Sequence, residues 1–527
     1  MKNKFLILII VLFMVLISTF TLGACDNNEP CCCDDIPEPC CCDEEDPVDL
    51  QLLPPVGLAV NEGVLTWDAA INAQHYRVRI NARFPITVHG QTRLNLPLDL
   101  RVGGTYRLYV QAMGGGTEFV NSDWSAPYIF IMTPYEGAPT VNYDFFVINN
   151  NTITNLSIIG RLQTQIIVPA SIKTIGANAF ESAAHLTTVV FEEGSQLEAI
   201  DNRAFRRLTN LVSITIPASI TTIGDEVFEG ATGLESVIFL DGGGQPVGMG
   251  DSVFMGARSL NNIKLPSRLV RIGNRAFQDT ENLDEIFIPA AVLYIDDYAF
   301  AGTGLRSIEF EQGSQLIQIG ALAFRYAESL AAIEIPASVS RIGSAAFSRT
   351  PSLTTITFEA DSQLTSIESG AFNQSGITAI TLPRLLTRLS EGLFTEAGAL
   401  VTVDFEAGSQ LTVIEPSAFL LATSIVSISL PPSLRTIQDW AFNRVGFYAD
   451  SPTVISFAPD TQLQAIGAFA FYRTINVLSI TIPRSATVSN NAFHGWTANQ
   501  TIYMQSRPQP NPNFSFADSN ATIVWNA

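Results

Sequence analysis

The chain has 527 residues, 47% of them hydrophobic and 15% charged, with 33 phenylalanines and a net charge of −21. That length exceeds one ordinary domain unless a repeat array stretches it, and the apolar content argues against global disorder. Residues 26–49 hold ten acids and no base, and from residue 50 onward 40 acids still face 27 Lys plus Arg; such a surface repels phosphate backbones and speaks against nucleic acid as a partner.

At the amino terminus Lys2 and Lys4 precede FLILIIVLFMVLISTFTLGA, an uncharged stretch that predicts an export signal or a membrane helix. Small residues at Gly23 and Ala24 suit a peptidase approaching an extended backbone. Leu22-Gly23-Ala24-Cys25 resembles the bacterial lipoprotein lipobox, which implies a signal peptide over 1–24 and a diacylglycerol on the sulfur of Cys25. Acyl chains at ~0.8 kcal/mol per buried methylene would hold the chain to the membrane. The alternative is an uncleaved anchor helix. Either way residues 26–527 lie outside the cell membrane, at the cell surface.

Segment 25–51 reads as an acidic, self-repelling, disordered tether. It contains every cysteine of the chain: Cys25, and two EPCCCD copies carrying Cys31, Cys32, Cys33, Cys40, Cys41 and Cys42. Adjacent thiols lack the C-x2–4-C spacing of zinc sites, so these six are at most weak metal or disulfide candidates, and no cofactor is expected.

Over 52–135, LLPPVGLAV, GVLTWDAA, HYRVRINA and TYRLYVQAM alternate apolar and polar residues, and Gly, Pro and Asn punctuate them. That pattern predicts short strands at β-sandwich spacing. Pro55, Leu58, Val60, Leu65, Trp67, Tyr76 and Val78, with Tyr106 after Gly103-Gly104-Thr105, resemble a fibronectin type III domain. The resemblance implies that Trp67 plugs the core and that Tyr106 forms a tyrosine corner. No Arg-Gly-Asp occurs, so a spacer role is expected. A linker and amino-terminal cap over 136–160 (YDFFVINNNTITNLSI) follow.

From 161 to 500 one repeat takes over. Phenylalanine recurs at 180, 205, 228, 254, 277, 300, 324, 347, 372, 394, 419, 442, 471 and 493, a period of about 24 that marks a leucine-rich solenoid of about 14 units with a parallel sheet. Five residues before each Phe stands an aliphatic, from Ile175 to Val488, with Met249 in a glycine-disrupted unit. At about 1.5–3 kcal/mol each, these buried rings would contribute on the order of 20–40 kcal/mol before chain entropy is subtracted. Units largely alternate between a proline-ended strand (Pro217, Pro289, Pro336, Pro383) and an acidic-glycine turn such as FEEGSQL, and the alternation breaks at LNNIKLP and DEIFIP. IPASIxxIGxxAF with its variants resembles the BspA-like branch of leucine-rich repeats. That branch often places cysteine three residues after the Phe; here Ala183, Leu208, Ala231, Ala257, Thr280, Thr303, Ala327 and Thr350 stand there. Residues 501–527 are expected to form a carboxy-terminal cap.

In L-x-x-I-x-I the residue between the two isoleucines points outward. Ser and Thr dominate that column, except at Ile238, Lys264, Phe287, Glu309 and Glu334, the candidate partner-binding patch. No catalytic constellation emerges. His75, His89, His185 and His494 are scattered in sequence, Asp296 and Asp297 are adjacent and predicted to point apart, and GGGQPVGMG lacks the lysine of a phosphate loop. The chain reads as a mainly β, non-enzymatic protein. Two roles fit it: a surface adhesin for extracellular proteins such as host matrix proteins, which the BspA resemblance implies, or a structural envelope or stalk protein.

Overall fold

The structure is a computed structural model. It describes residues 50–527 except 62–63, 81–85, 96–104, 114–118, 126–127, 132–140, 506–518, 526–527 and a few single positions. Residues 1–49, with the lipobox and all seven cysteines, lie outside the described residues, as does the side chain of Tyr106.

The amino-terminal unit places two antiparallel sheets on one hydrophobic cluster. One sheet runs Ala59–Asn61, Val64–Thr66, Arg93–Asn95; the other orders Ile86–His89, His75–Ile80, Thr105–Met113, Tyr128–Ile131. Alternation in HYRVRI sends Tyr76, Val78 and Ile80 inward, where they pair across to Ala112, Val110 and Leu108. Trp67, only 4% exposed, packs edge-on against Tyr76 with ring centroids 5.4 Å apart.

The remainder is a coil of short segments, each turn having three sides. A long strand such as Ser213–Ile216 forms the first side and a two-residue strand such as Thr222–Ile223 the second. The third is a tight-turn segment centred on the repeat phenylalanine. Long strands pair in parallel with long, and short with short. On the strand sides N–H groups point back, as from Gly224 to the Ile200 carbonyl at 2.8 Å. On the turn side they point forward, as from Phe228 to the Val253 carbonyl at 2.7 Å. Each turn thus satisfies its backbone through its neighbours.

The turn side needs special backbone. The residue two before each spine phenylalanine from Phe180 to Phe471 (Asn178 to Phe469) is left-handed, and so is the residue two after each from Phe205 to Phe493 (Arg207 to Gly495). The phenylalanines from Phe180 to Phe493 are fully buried. They stack in one file with neighbouring centroids between 4.8 and 5.8 Å apart. The position three residues on is buried too. Thr280, Thr303, Thr350 and Thr474 use the hydroxyl to bond the carbonyl of their own Phe at 2.8–3.0 Å, so polar and apolar occupants are interchangeable there.

The two unit types prove to be one device. Glu192, Glu311, Glu359 and Glu406 of the acidic turns accept the backbone N–H of Ala170, Ala290, Ala337 and Arg384 at 2.8–2.9 Å. Each of those N–H groups follows the proline that ends the preceding strand. Where that position is Pro432, which has no N–H, the next turn carries Ala458 in place of the glutamate.

The turn count is about sixteen rather than fourteen, because long strands run from Gln165–Val168 to Thr522–Trp525. The sequence estimate followed the phenylalanine, and the last two rungs, Thr501–Met504 and Thr522–Trp525, have strands without a spine ring. Trp496 ends the spine instead. It lies edge-on to Phe493 and donates from Nε1 to the Phe471 carbonyl and Thr474 Oγ1, both at 2.9 Å. At the other end a hairpin, Phe146–Asn149 with Thr152–Leu156, turns at left-handed Asn150 and Asn151 and starts the short-strand sheet. The short-strand ladder breaks between Gly248–Met249 and Arg271–Ile272 and the long-strand ladder between Asn262–Lys264 and Glu285–Ile288, where the alternation of unit types also fails; each ladder breaks again further along.

Candidate functional site

The five candidate residues occupy successive rungs of the long strands' outward column, spread over three of its sheets. Ile238 lies beside Lys264, and Phe287 beside Glu309; Glu334 opens the next sheet beside Thr357. Their surroundings differ. Ile238, Lys264 and Phe287 are half-buried, whereas Glu309 and Glu334 are exposed. Lys264 Nζ pairs with Asp241 Oδ2 at 2.6 Å across one turn.

The amino-terminal unit accounts for part of that burial. Its strand Ile86–His89 packs beside Asn262–Lys264. His89 Nε2 lies 2.9 Å from Asp284 Oδ1, Thr87 donates to Glu285, and Arg77 approaches Glu309 at 3.9 Å. His75 and His89, distant in sequence, face each other across the antiparallel register with stacked rings 5.1 Å apart. Their environments push them in opposite directions. Burial, then the neighbouring His89 and Arg77, lowers His75 to about 4. The bond to Asp284 raises His89 against the opposing effect of burial. Burial likewise raises Glu285. The group makes a charged joint between the two parts.

The remaining candidates have structural roles. Asp296 pairs with Arg271, and its carboxyl is raised chiefly by burial. Asp297 instead accepts the Ala321 N–H at 2.7 Å, so the two acids serve different neighbours. Arg268 ties the glycine-rich loop to the preceding turn: its guanidinium donates to the Gln245 carbonyl in the loop and to the Ala218 carbonyl at 2.8 Å. Among the described residues no cluster of three His, Cys, Asp or Glu could hold a metal, and no helix is long and apolar enough to cross a membrane.

Sequence reasoning missed one surface feature. Near the last turns, Trp440 stacks on Phe469 at 4.3 Å, and Tyr472 and His494 extend the group. The signal was present, since the first two occupy the place two before the spine Phe and the last two the place one after it. Reading only the strand column left those places unread.

A parallel coil with one buried aromatic per turn is a leucine-rich repeat solenoid. The family model described as BspA type leucine rich repeat region (6 copies) matches residues 149–242, 248–363, 357–449 and 443–525. The chain belongs to that family. Among solved structures it resembles a leucine-rich repeat protein from Bacteroides ovatus, with a TM-score of 0.51 and 22% identity over 76% of this chain and 95% of that one. A leucine rich cell surface protein from Faecalibacterium prausnitzii is 22% identical over 72% of this chain and 99% of its own, with a TM-score of 0.35. The pneumococcal vaccine antigen PcpA is 16% identical over 81% of this chain and 100% of its own, with a TM-score of 0.31. No curated protein is similar in sequence.

Proposed function

We propose that the chain is a cell-surface protein-binding module, tethered by lipid on Cys25, whose partner docks on the long-strand face between Glu309 and Thr481. The carrying observation is the exposed column Glu309, Glu334, Thr357, Thr381, Asp404, Ser429 and Thr481. With strands about 4.8 Å apart it offers a flat, regular row of acceptors and hydroxyls. It contains three acids and no base, so it fits a partner with a basic stripe. In this reading the amino-terminal unit is a fibronectin type III-like spacer seated on the rungs of Ile238, Lys264 and Phe287. The acidic tether holds both parts away from the membrane, and the protein has no catalytic task. The surface-protein character of its family supports an adhesin-type role toward extracellular matrix proteins.

The test uses the purified full-length protein in detergent and immobilised matrix proteins, fibronectin and fibrinogen among them. Glu334→Lys with Asp404→Lys should weaken binding at least tenfold. Lys264→Ala with Phe287→Ala should leave binding unchanged and loosen the amino-terminal unit. If no matrix protein binds, and cells lacking the protein show an altered envelope, the structural reading replaces this one.

A further inference from the structure

A terminal turn of a solenoid lacks a neighbour on one side and is ordinarily closed by a polar face. The amino-terminal cap of this chain departs from that rule. Tyr143, Val147, Ile148, Ile158, Ile159 and Leu162 stand there with between 38% and 81% of their surface exposed. They belong to one piece of structure. The turns Tyr143–Phe145 and Gly160–Leu162 pack together, and the Ser157 N–H donates to the Phe145 carbonyl at 2.9 Å. Gly160 approaches that carbonyl so closely that a Cβ there would lie 2.1 Å from it. The hairpin strand Phe146–Asn149 continues from the first turn and begins the short-strand sheet. Its register shifts between Val147 and Ile148, and these successive apolar side chains are both exposed, where regular alternation would turn one inward. The same irregularity blunts the strand edge against a further strand, so an occupant meets side chains there more than an open ladder.

Size and charge narrow the occupant to a second copy of the chain. Six such side chains amount to several hundred Å², comparable with the largest patch of a typical monomer, about 300–600 Å². Two copies face to face would bury about twice that, which with a polar rim reaches the ~1,200 Å² at which specific interfaces begin. Across residues 141–168 the charged side chains are Asp144 and Arg161 alone. Neither joins an ion pair among the described residues. Asp144 is exposed, and the Arg161 guanidinium donates to neutral acceptors, the Leu156 carbonyl at 3.3 Å and Asn155 Oδ1 at 3.2 Å. One acid and one base, neither met by an opposite charge, complement the same face on another copy: a twofold contact forms each pair twice. A lipid surface fits less well, because the face has no excess of Lys or Arg to offer anionic headgroups.

We propose that two copies of the chain associate through their amino-terminal caps about a twofold axis, with Ile158, Ile159 and Leu162 packed at the centre and Asp144 paired with the partner's Arg161 on both sides. The contact lies at the end of the coil and leaves the outward strand column open in both copies, so it does not depend on a ligand for that column.

The experiment reads the mass of the full-length protein in nonionic detergent by sedimentation velocity over a concentration series. Photo-crosslinking from p-benzoylphenylalanine in place of Tyr143, in phosphatidylcholine vesicles, repeats the reading without competing detergent and decides where the two differ. A dimer is expected in both. Ile158→Asn with Leu162→Asn should weaken it at least tenfold, and Ile317→Asn, at an exposed aliphatic of a distant turn, should have no effect. Asp144→Arg and Arg161→Asp should each weaken it at least tenfold. The double variant should restore it, and an equimolar mixture of the two single variants should form a heterodimer. A monomer in vesicles overturns the proposal, as do crosslinks to lipid in place of protein, or a dimer that survives Ile158→Asn with Leu162→Asn. Failure of the double variant and the mixture to associate, with native circular dichroism, also overturns it, because the two charges would not then meet across a twofold axis.

Discussion

Replacing Phe324 with alanine tests what holds the solenoid together. Phe324 is fully buried and stacked on Phe300 at 5.2 Å and on Phe347 at 5.1 Å, with 10° and 1° between planes. Truncating a core phenylalanine costs about 3–5 kcal/mol through lost transfer energy and the cavity left behind. Two ring contacts, each worth about 0.5–1.5 kcal/mol beyond burial, put this site toward the top of that range. A stack of units is not a two-state folder, so a single melting temperature would blur the effect. Amide hydrogen exchange resolves it by rung. The Phe300 and Phe324 N–H groups, which bond the Ala323 and Ala346 carbonyls at 2.7 Å, report directly on the altered turn. A loss of about 4 kcal/mol should speed their exchange by roughly 10³-fold, at 1.4 kcal/mol per factor of ten. The effect should fade within a few turns, leaving Phe205 and Phe471 near their original protection. Phe324→Leu should recover most of it by restoring bulk without the stacks. Uniform loss along the whole array would refute nearest-neighbour coupling, and a change under tenfold at the altered turn would refute the spine.

Glu359→Ala removes the acceptor for the Ala337 N–H and should cost about 0.5–1.5 kcal/mol, with Glu359→Gln nearly neutral; denaturation of both variants checks this. Ala458→Glu should gain nothing, because Pro432 offers no N–H. The joint of the amino-terminal unit should respond to pH on two sides. His89 is raised above 6.5, so its stabilisation is complete below that value and lost as pH rises through the raised one. His75 is lowered to about 4, so unfolding takes up a proton and stability falls as pH drops from 6.5 toward 4. Glu285, raised by burial, favours its neutral form and opposes that acid-side loss, while Asp284, Arg77, Arg306 and Glu309 supply the surrounding charge. Thermal unfolding of the amino-terminal unit should show His89→Gln flattening the alkaline limb and His75→Gln the acid limb. An unchanged profile in both would remove these histidines from the joint.

The solenoid was legible because one residue type recurs at one place. A period near 24 in phenylalanine, with an aliphatic five residues earlier, states the register of each turn. Alternation of proline and glutamate was visible too, though its reason was not: the hydrogen bond runs between turns, from Glu359 back to Ala337, and sequence shows the two residues 22 positions apart without linking them. The terminal rungs escaped because Thr501–Met504 and Thr522–Trp525 carry strand pattern alone. Left-handed positions escaped because Arg203, Trp440 and Arg473 occupy them as often as glycine does. The outward direction of Phe287 followed from strand alternation. What covers that rung did not, since no local pattern announces that Ile86–His89 will lie beside Lys264.

These observations bear on how such a chain can carry more than one surface. The turns are fixed from inside by their phenylalanines, at the edge by a buried residue three positions on, and at four strand ends by a glutamate clamp. None of these groups belongs to the outward strand column or to the exposed face of the amino-terminal cap. Outward residues are therefore free to vary in chemistry at little cost to the fold, and the chain uses that freedom unevenly: acids and hydroxyls along the strand face, aliphatic side chains on the cap. Because each turn contacts only its neighbours, a change at Leu162 should not reach Glu334 or Asp404. If Ile158→Asn with Leu162→Asn lowered the affinity of the strand face for a single partner molecule as well, the two surfaces would be one site, and the division of labour argued from their chemistry would fail.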